Sequence, residues 1–338
     1  MTTIAYVSNA DSGDISVLHL NADSGALTLV QSLATGGKVM PLAISPDRRF
    51  LYASLRDEPA RVLSCSIEPG SGRLQRLHDA PLPASACFIA LDRSGRWLMS
   101  ASYGGHRIGI NPIDREGRAQ SPLHSLASEP NAHCFRTNRS NRFAYAPCLG
   151  GDSVMQMRFD PTSGRVTPNP VACFVVRPGA GPRHLEFHPD GDIAYLLNEL
   201  DASIDTLALD EAAGQLSALH SVALLPPEFQ GEPWGADLHI APDGRHLYAC
   251  ERRSSTLSVF DVDPHSRKLH PIDRLPTETQ PRGFNIDPSG SHLVVAGQLS
   301  NGATAYKIDA MSGKLRTAHS LAVGNNPNWV EIIDLALA

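Results

Sequence analysis

Residues 182–197 read Pro-Arg-His-Leu-Glu-Phe-His-Pro-Asp-Gly-Asp-Ile-Ala-Tyr-Leu-Leu, a stretch in which a tight turn divides two largely apolar runs. This pattern predicts a strand over 182–187, a hairpin, and a second strand over 193–197. The turn signal returns along the chain at Ser45-Pro46-Asp47, Asp92-Arg93-Ser94-Gly95, Asn138-Arg139-Ser140-Asn141, Ala241-Pro242-Asp243-Gly244 and Asp287-Pro288-Ser289-Gly290. The chain is therefore built from repeats, and the repeat length decides the architecture.

A second turn signal keeps the same interval and gives the length of the repeat. Its seven copies are Gly25-Ala26-Leu27, Gly72-Arg73-Leu74, Gly117-Arg118-Ala119, Gly164-Arg165-Val166, Gly214-Gln215-Leu216, Arg267-Lys268-Leu269 and Gly313-Lys314-Leu315. Successive copies lie 45 to 53 residues apart, which leaves room for four short strands in each unit. Helical periodicity is nowhere sustained. The sequence therefore predicts an all-β fold, a seven-bladed β-propeller with four-stranded antiparallel blades.

The two ends of the chain are predicted to share one blade. The chain starts on a strand, Thr3–Val7, without the strand pair that opens the other units. Residues 328–333 read Asn-Trp-Val-Glu-Ile-Ile and supply the missing strand, which would close the ring and protect its edges. No Pro/Ser-rich linker interrupts the repeat, so residues 1–338 are predicted to form a single propeller domain.

The amino-acid composition restricts the kinds of molecule that the protein is expected to bind. The net charge is −6 and the lysines and arginines are dispersed, so the basic stripe that binds nucleic acid is missing. Because no stretch approaches about 18 apolar residues and no secretory signal is recognisable, we expect no membrane contact and a cytoplasmic location. The six cysteines show no C-x-x-C spacing and are expected to be reduced. Neither a cofactor nor a metal is predicted, and the oligomeric state is left open.

The propeller topology predicts where polar side chains converge. The first strand of each unit starts at one mouth of the ring, and the second strand returns to that mouth. Six residues before the first turn signal stand Met40, Cys87, His133, Arg183, Ala236 and Arg282, with Asn328 in the last unit. Ten residues after it stand Arg56, Tyr103, Leu149, Glu199, Arg252 and Gln298. These two columns are unusually polar, and we interpret them as an active site at this mouth.

A purely structural interpretation of these residues is also open. Charges at strand ends can be solvated or can tie neighbouring blades together. His184 with Glu186, and Asp237 with His239, are pairs two residues apart that point to one side of a strand. A metal needs three or four convergent ligands, so hydrogen bonding between blades is the favoured alternative for these pairs.

Four stretches carry a resemblance to a known family: residues 179–184, 195–200, 234–250 and 277–285. The chain resembles, over essentially its whole length, the bacterial seven-bladed β-propeller lactonases, whose superfamily includes fungal carboxy-cis,cis-muconate cyclases. The resemblance implies hydrolysis of a sugar lactone, above all 6-phospho-D-glucono-1,5-lactone to 6-phospho-D-gluconate in the oxidative pentose phosphate pathway. It also implies that a histidine, an arginine and a glutamate carry the chemistry, at the positions of His133, Arg183 and Glu199. The candidate substrate-binding residues are Arg56, His184, Asp237, His239, Gln280, Arg282, Gln298 and Asn328.

Departures from the family pattern keep other functions open. Residues 129–140 lack the usual Ser-Pro-Asp turn and add Arg136, and Tyr103-Gly104-Gly105-His106-Arg107 is unusually basic. Another aldonolactone or uronolactone is therefore an alternative substrate. A cyclase or isomerase of muconate-type acids could use the same arginine and acid/base pair. A non-catalytic binding scaffold is a third interpretation, although three tryptophans and 6% aromatic residues give such a rim little to bind with.

Overall fold

The computed structural model describes residues 2–336, and its strands form seven four-stranded antiparallel sheets arranged as the blades of a ring. The innermost strands are β4 Val39–Ile44, β8 Phe88–Leu91, β12 Arg136–Thr137, β16 Pro182–Phe187, β20 Gly235–Ile240, β24 Pro281–Ile286 and β28 Pro327–Leu335. The second strands are β1 Thr2–Asn9, β5 Phe50–Leu55, β9 Trp97–Ser102, β13 Phe143–Cys148, β17 Ile193–Asn198, β21 His246–Glu251 and β25 His292–Gly297. The predicted seven-bladed propeller is confirmed.

The remaining strands complete each blade towards the outside of the ring. The third strands are β2 Asp14–Leu20, β6 Arg61–Ile67, β10 Arg107–Pro112, β14 Ser153–Asp160, β18 Ser203–Asp210, β22 Thr256–Val262 and β26 Gly302–Ile308. The outer strands are β3 Leu27–Ala34, β7 Leu74–Pro81, β11 His124–Ala127, β15 Arg165–Val175, β19 Gln215–Ala223, β23 Leu269–Pro276 and β27 Leu315–Ala322. A 3₁₀ turn spans Leu149–Gly151. Within residues 2–336, no helix has the length and apolarity of a membrane span.

The first and last strands share one blade, as predicted. Strand β28 pairs antiparallel with β1, with Tyr6 opposite Glu331 and Val7 opposite Val330. A side-chain bond from Thr3 Oγ1 to Asp334 Oδ1, at 2.7 Å, reinforces this pairing. Because the pairing gives β1 and β28 each a neighbour, the closing blade exposes no more strand edge than the other blades.

Tyrosines on the second strands explain why the second turn signal repeats. Three of these hydroxyls donate to a turn glycine carbonyl of the next blade: Tyr6 to Gly72 (2.9 Å), Tyr52 to Gly117 (3.0 Å) and Tyr248 to Gly313 (2.8 Å). The hydroxyl of Tyr145 has no such partner within residues 2–336. At Gly117 the turn needs glycine, because its φ is +78° and a Cβ there would lie 2.3 Å from the Phe50 ring. The repeated turn is thus a tie between adjacent blades.

Bulges near the start of several innermost strands position the site. The pairing of β16 with β17 shifts register between Pro182 and His184, which places the extra residue at Arg183. The same shift occurs around Ala236, Arg282 and Asn328. A bulge bends its strand and re-aims the side chain of the extra residue. These bulged residues belong to the column that the sequence pattern marked as polar.

Candidate active site

A cavity of about 800 Å³ lies at the mouth where the innermost strands begin and the second strands end. Six blades contribute to it, as the topology argument predicted. Its polar lining includes Arg56, Glu58, Cys87, Tyr103, His133, Glu199, Trp234, Arg252 and Arg282. Four of the predicted site residues, Arg56, His133, Glu199 and Arg282, therefore surround one cavity.

Glu199 is held at the cavity surface from two sides. Its Oε2 lies 2.8 Å from Nε of Arg183, and its Oε1 accepts a bond of 3.2 Å from the indole N–H of Trp234. The Glu199 side chain keeps 14% of its surface exposed, whereas Arg183 keeps 1%. Arg183 thus lies behind the cavity lining, and the carboxylate of Glu199 stands between it and the open space.

His133 lies deep in the cavity and is neutral. It is 5% exposed, and its ring is 5.1 Å from the ring of His184 and 6.0 Å from that of Tyr103, between centroids. Burial lowers the pKa of His133 well below the usual value, and the nearby charges of Arg183 and Arg282 act in the same direction. The imidazole can therefore accept a proton or a hydrogen bond at neutral pH, but it carries no charge there.

Guanidinium groups crowd this cavity. Burial and the charge of Arg183 lower the pKa of Arg252 to about 10, and the same causes, with Arg252 added, lower that of Arg282 to about 9. Arg252 also stacks on Trp234, with its Cζ 3.5 Å from the ring centroid. These shifts mean that the buried cations repel one another and lack full compensation.

Several buried nitrogens in this cluster are unsatisfied. Among residues 2–336, no hydrogen-bond partner is in place for Nδ1 of His133, Nη1 of Arg282 or Nε of Arg252. A buried donor or acceptor without a partner costs roughly 1–3 kcal/mol, and more when it is charged. Buried groups left in this state at one cavity are typical of a site that binds a polar, anionic ligand.

Three of the predicted substrate-binding residues lie elsewhere. Asn328 is fully buried, and its side-chain amide donates to the carbonyls of Ser8 and Val39, so it joins blades and does not reach the cavity. Gln298 accepts from Arg252 Nη2 at 2.5 Å and from Gln280 Nε2 at 3.1 Å. Gln298 therefore holds Arg252, Gln280 holds Gln298, and neither glutamine lines the cavity.

His184, Asp237 and His239 line a second cavity instead, of about 550 Å³, on the side of the ring where the hairpin turns lie. The polar groups there satisfy one another. Arg136 pairs with Glu186, Trp329 donates from Nε1 to Glu331 at 2.9 Å, and His239 Nε2 lies 3.4 Å from Asp237 Oδ2. From the sequence, these three are substrate-binding candidates, with hydrogen bonding between blades as the favoured alternative for the pairs they belong to. In the structure they lie away from the main cavity.

Two cavity residues were missed or undervalued by the sequence argument. Trp234 stands two residues before the column position Ala236, outside both columns, although it opens one of the stretches that carry the family resemblance. Arg252 stood in the second column but was not among the candidates chosen for substrate binding. The signal for both was their place at the mouth end of a strand, since Trp234 directly precedes β20 and Arg252 directly follows β21.

The ring and its cavity define the chain as a seven-bladed propeller with a cationic cavity at one mouth. Residues 2–332 match the family described as "Lactonase, 7-bladed beta-propeller", and the chain belongs to this family.

Similar proteins fit this assignment. A 6-phosphogluconolactonase of Serratia proteamaculans is 39% identical over 334 residues, which cover 98% of this chain and 99% of that protein. One from Pectobacterium carotovorum is 38% identical over 99% of this chain and 100% of its own. Among solved structures, the periplasmic gluconolactonase of Pseudomonas aeruginosa superposes with a TM-score of 0.93 at 27% identity, over 99% of this chain and 100% of its own.

Proposed function

We propose that this protein hydrolyses sugar lactones and that its preferred substrate is 6-phospho-D-glucono-1,5-lactone, which it opens to 6-phospho-D-gluconate. The observation that carries the proposal is the excess of positive charge at the cavity, where the guanidiniums of Arg56, Arg183, Arg252 and Arg282 outnumber the carboxylates of Glu58 and Glu199. A phosphate dianion is the ligand that such an excess of positive charge favours. The names of the relatives support the same reaction class.

Arg282 and Arg56 hold the phosphate in this proposal. Arg282 is 7% exposed and lines the cavity. Its buried Nη1 has no hydrogen-bond partner within residues 2–336. Arg56 is exposed at the rim, where it can meet an incoming anion. A guanidinium binds phosphate oxygens in bidentate fashion, which fixes the orientation of the sugar as well as its affinity.

Glu199 is the proposed general base. Its carboxylate faces the cavity and takes a proton from the attacking water while the new C–O bond forms at the lactone carbonyl. The negative charge that develops on the carbonyl oxygen is stabilised by the positive field of Arg183 and its neighbours. When the intermediate collapses, the ring C–O bond breaks and Glu199 returns the proton to the departing alkoxide. Neutral His133 accepts a hydrogen bond from the water or from a sugar hydroxyl.

The direct test follows acid release by the purified protein from fresh 6-phosphogluconolactone and from plain gluconolactone, each against its spontaneous hydrolysis and with and without a chelator. Fast hydrolysis that favours the phosphorylated lactone and ignores the chelator supports the proposal. If the protein accelerates the hydrolysis of neither lactone, the proposal is contradicted, and the cyclase and scaffold alternatives are favoured. Equal acceleration of both would retain the reaction class and remove the phosphate preference.

We also propose a cytoplasmic location. All six cysteines lie within the described residues and carry free thiols, which suits a reducing compartment. Cell fractionation with a tagged full-length chain tests this, and recovery in the periplasm, where the Pseudomonas relative is named, would contradict it.

A further inference from the structure

A chain of four groups, of which Glu199 is partly exposed and the other three are buried, runs from the main cavity through the wall that separates it from the second cavity. Arg183 Nε lies 2.8 Å from Glu199 Oε2, and Arg183 Nη1 lies 3.1 Å from His184 Nε2. His184 Nδ1 lies 2.8 Å from Asp237 Oδ1. His184 and Asp237 are each 4% exposed, so water competes little for these bonds.

The direction of the hydrogen bonds follows from the charges. Although burial opposes it, the neighbouring His239 and His184 lower the pKa of Asp237 well below the usual range, so its carboxylate stays ionised and accepts hydrogen bonds. The backbone N–H of Leu238 donates to the same oxygen that faces His184, at 3.1 Å. His184 must therefore carry its proton on Nδ1.

The opposite ring nitrogen then faces the arginine as an acceptor. Burial and the charge of Arg183 lower the pKa of His184 to about 3, so the ring is neutral at physiological pH. A neutral ring with its proton on Nδ1 presents a lone pair at Nε2, and Arg183 donates to it from Nη1. The protonation state of His184 is thus matched to the guanidinium beside it.

Arg183 needs such a partner because its surroundings repel it. Burial lowers the pKa values of Arg252 and Arg282, and the charge of Arg183 lowers both further, as expected for cations that repel one another. An arginine side chain also has considerable rotamer entropy to lose. Glu199 alone anchors one edge of the guanidinium, and a second anchor fixes its plane.

We infer that His184 and Asp237 are positioning residues for the reaction: through the Asp237–His184–Arg183 hydrogen bonds they fix the guanidinium that orients Glu199. This inference rests on the proposed role of Glu199 and Arg183 in lactone hydrolysis. Neither His184 nor Asp237 needs to touch the substrate. Their place in the wall, facing the second cavity, is then explained without a ligand on that side.

A double-mutant cycle on the full-length protein tests the inference. His184→Phe keeps a ring of similar shape and removes both nitrogens, and we expect kcat to fall about tenfold to a hundredfold while KM changes less than about threefold. His184→Gln offers an amide oxygen to Arg183 and should recover most of kcat. In an Arg183→Ala background, His184→Phe should lower kcat by less than about twofold, because the group it positions is gone.

A matched control is His188→Phe, a buried histidine in the turn that follows β16, which should leave kcat unchanged. A fall of kcat by His184→Phe that is equally large with and without Arg183 would overturn the inference. So would loss of kcat in His184→Gln as severe as in His184→Phe.

A readout independent of activity separates this inference from the proposed function. In protein labelled with ¹⁵N-histidine, the His184 signals, assigned by their loss in His184→Gln, should show a protonated Nδ1 and a bare Nε2 from pH 5 to pH 8. Asp237→Asn should disturb that state. A proton on Nε2, or a charged ring in this range, overturns the inference even if the lactone is hydrolysed. If no lactone is hydrolysed but the spectrum is as expected, the hydrogen bonds between Asp237, His184 and Arg183 are confirmed. The proposed catalytic role of Glu199, and with it the positioning role of His184 and Asp237 in the reaction, is then contradicted.

Discussion

Arg282 and Glu199 divide two tasks between them at the level of single residues. Arg282 is a buried cation whose neighbours are also cations, and Glu199 is a carboxylate tied to one of those cations and open to the cavity. Binding of an anion relieves the repulsion around Arg282, and Glu199, which is open to the cavity, can transfer a proton. The two residues should therefore respond differently to substitution.

Replacing Glu199 with Gln should remove the base and keep the shape of the site. We expect kcat to fall by about 10² to 10⁴, with KM nearly unchanged, because a general base contributes that much to rate. Steady-state kinetics on the phosphorylated lactone measure this. The matched control is Glu116→Gln, an exposed turn residue. Near-normal turnover of Glu199→Gln would assign the base to another group.

Replacing Arg282 with Gln should weaken recognition of the phosphate. The expected result is an increase of at least about tenfold in KM for 6-phosphogluconolactone, with a much smaller change for plain gluconolactone, since a charged pair in a desolvated site is worth several kcal/mol. Parallel kinetics on both lactones give the comparison. Equal losses on the two substrates would place the phosphate elsewhere.

Glu331, in the second cavity, makes stability depend on pH. Burial raises the pKa of its carboxyl to about 7, from the ordinary 4.5. The folded state therefore keeps a proton that the unfolded state releases, and the free energy of unfolding falls as pH rises from 4.5 to 7. Glu331→Gln removes this dependence, so its stability relative to the natural protein should grow by up to about 1.4 kcal/mol per pH unit over that range.

Urea unfolding at several pH values checks the effect of Glu331→Gln, with Glu68→Gln, an exposed carboxylate, as the matched control. A constant difference between Glu331→Gln and the natural protein at all pH values would contradict the prediction, because the carboxyl would then have the same pKa in the folded and unfolded states.

At strand starts and bulges, the sequence was not sufficient to predict which part of the structure a side chain faces. The turn signals were enough to predict strands, blades and the shared mouth, because period and turn chemistry are local properties of the chain. They could not show that Asn328 turns its amide into the backbone of Ser8 and Val39, since that depends on the closing blade. Nor could they separate His184 from His133, because a one-residue bulge decides which of the two cavities a side chain faces.

The ties between blades are testable at the level of the strand and turn. Tyr248→Phe removes the hydroxyl that donates to the Gly313 carbonyl at 2.8 Å and keeps the ring. We expect a loss of about 0.5–1.5 kcal/mol in the free energy of unfolding, the usual net worth of such a bond, with kcat unchanged because the bond lies far along the blade. Chemical denaturation measures the loss. Tyr306→Phe serves as a comparison, because the hydroxyl of Tyr306 bonds the side chain of Thr277 and not a turn glycine.

Binding of an anion in the cavity should stabilise the whole propeller against unfolding. Inorganic phosphate that binds among the arginines stabilises the folded state by mass action, about 2.7 kcal/mol at one hundred times its Kd. We expect the melting temperature to rise with phosphate concentration and not with sodium chloride at matched ionic strength. Arg282→Gln should lose most of that increase. A phosphate effect that sodium chloride reproduces would indicate general screening instead of a site.

The closing blade also determines when the protein can first act. The cavity draws its side chains from Arg56 to Arg282, and all of these are synthesised before the strand Pro327–Leu335 that completes the ring. While the ribosome still holds that segment, β1 has an unpaired edge and the circle of blades is open. A nascent chain therefore already contains every residue of the cavity and lacks the geometry to use them. Activity should begin as a single event in the life of each molecule, when the final strand leaves the ribosomal tunnel and joins the first.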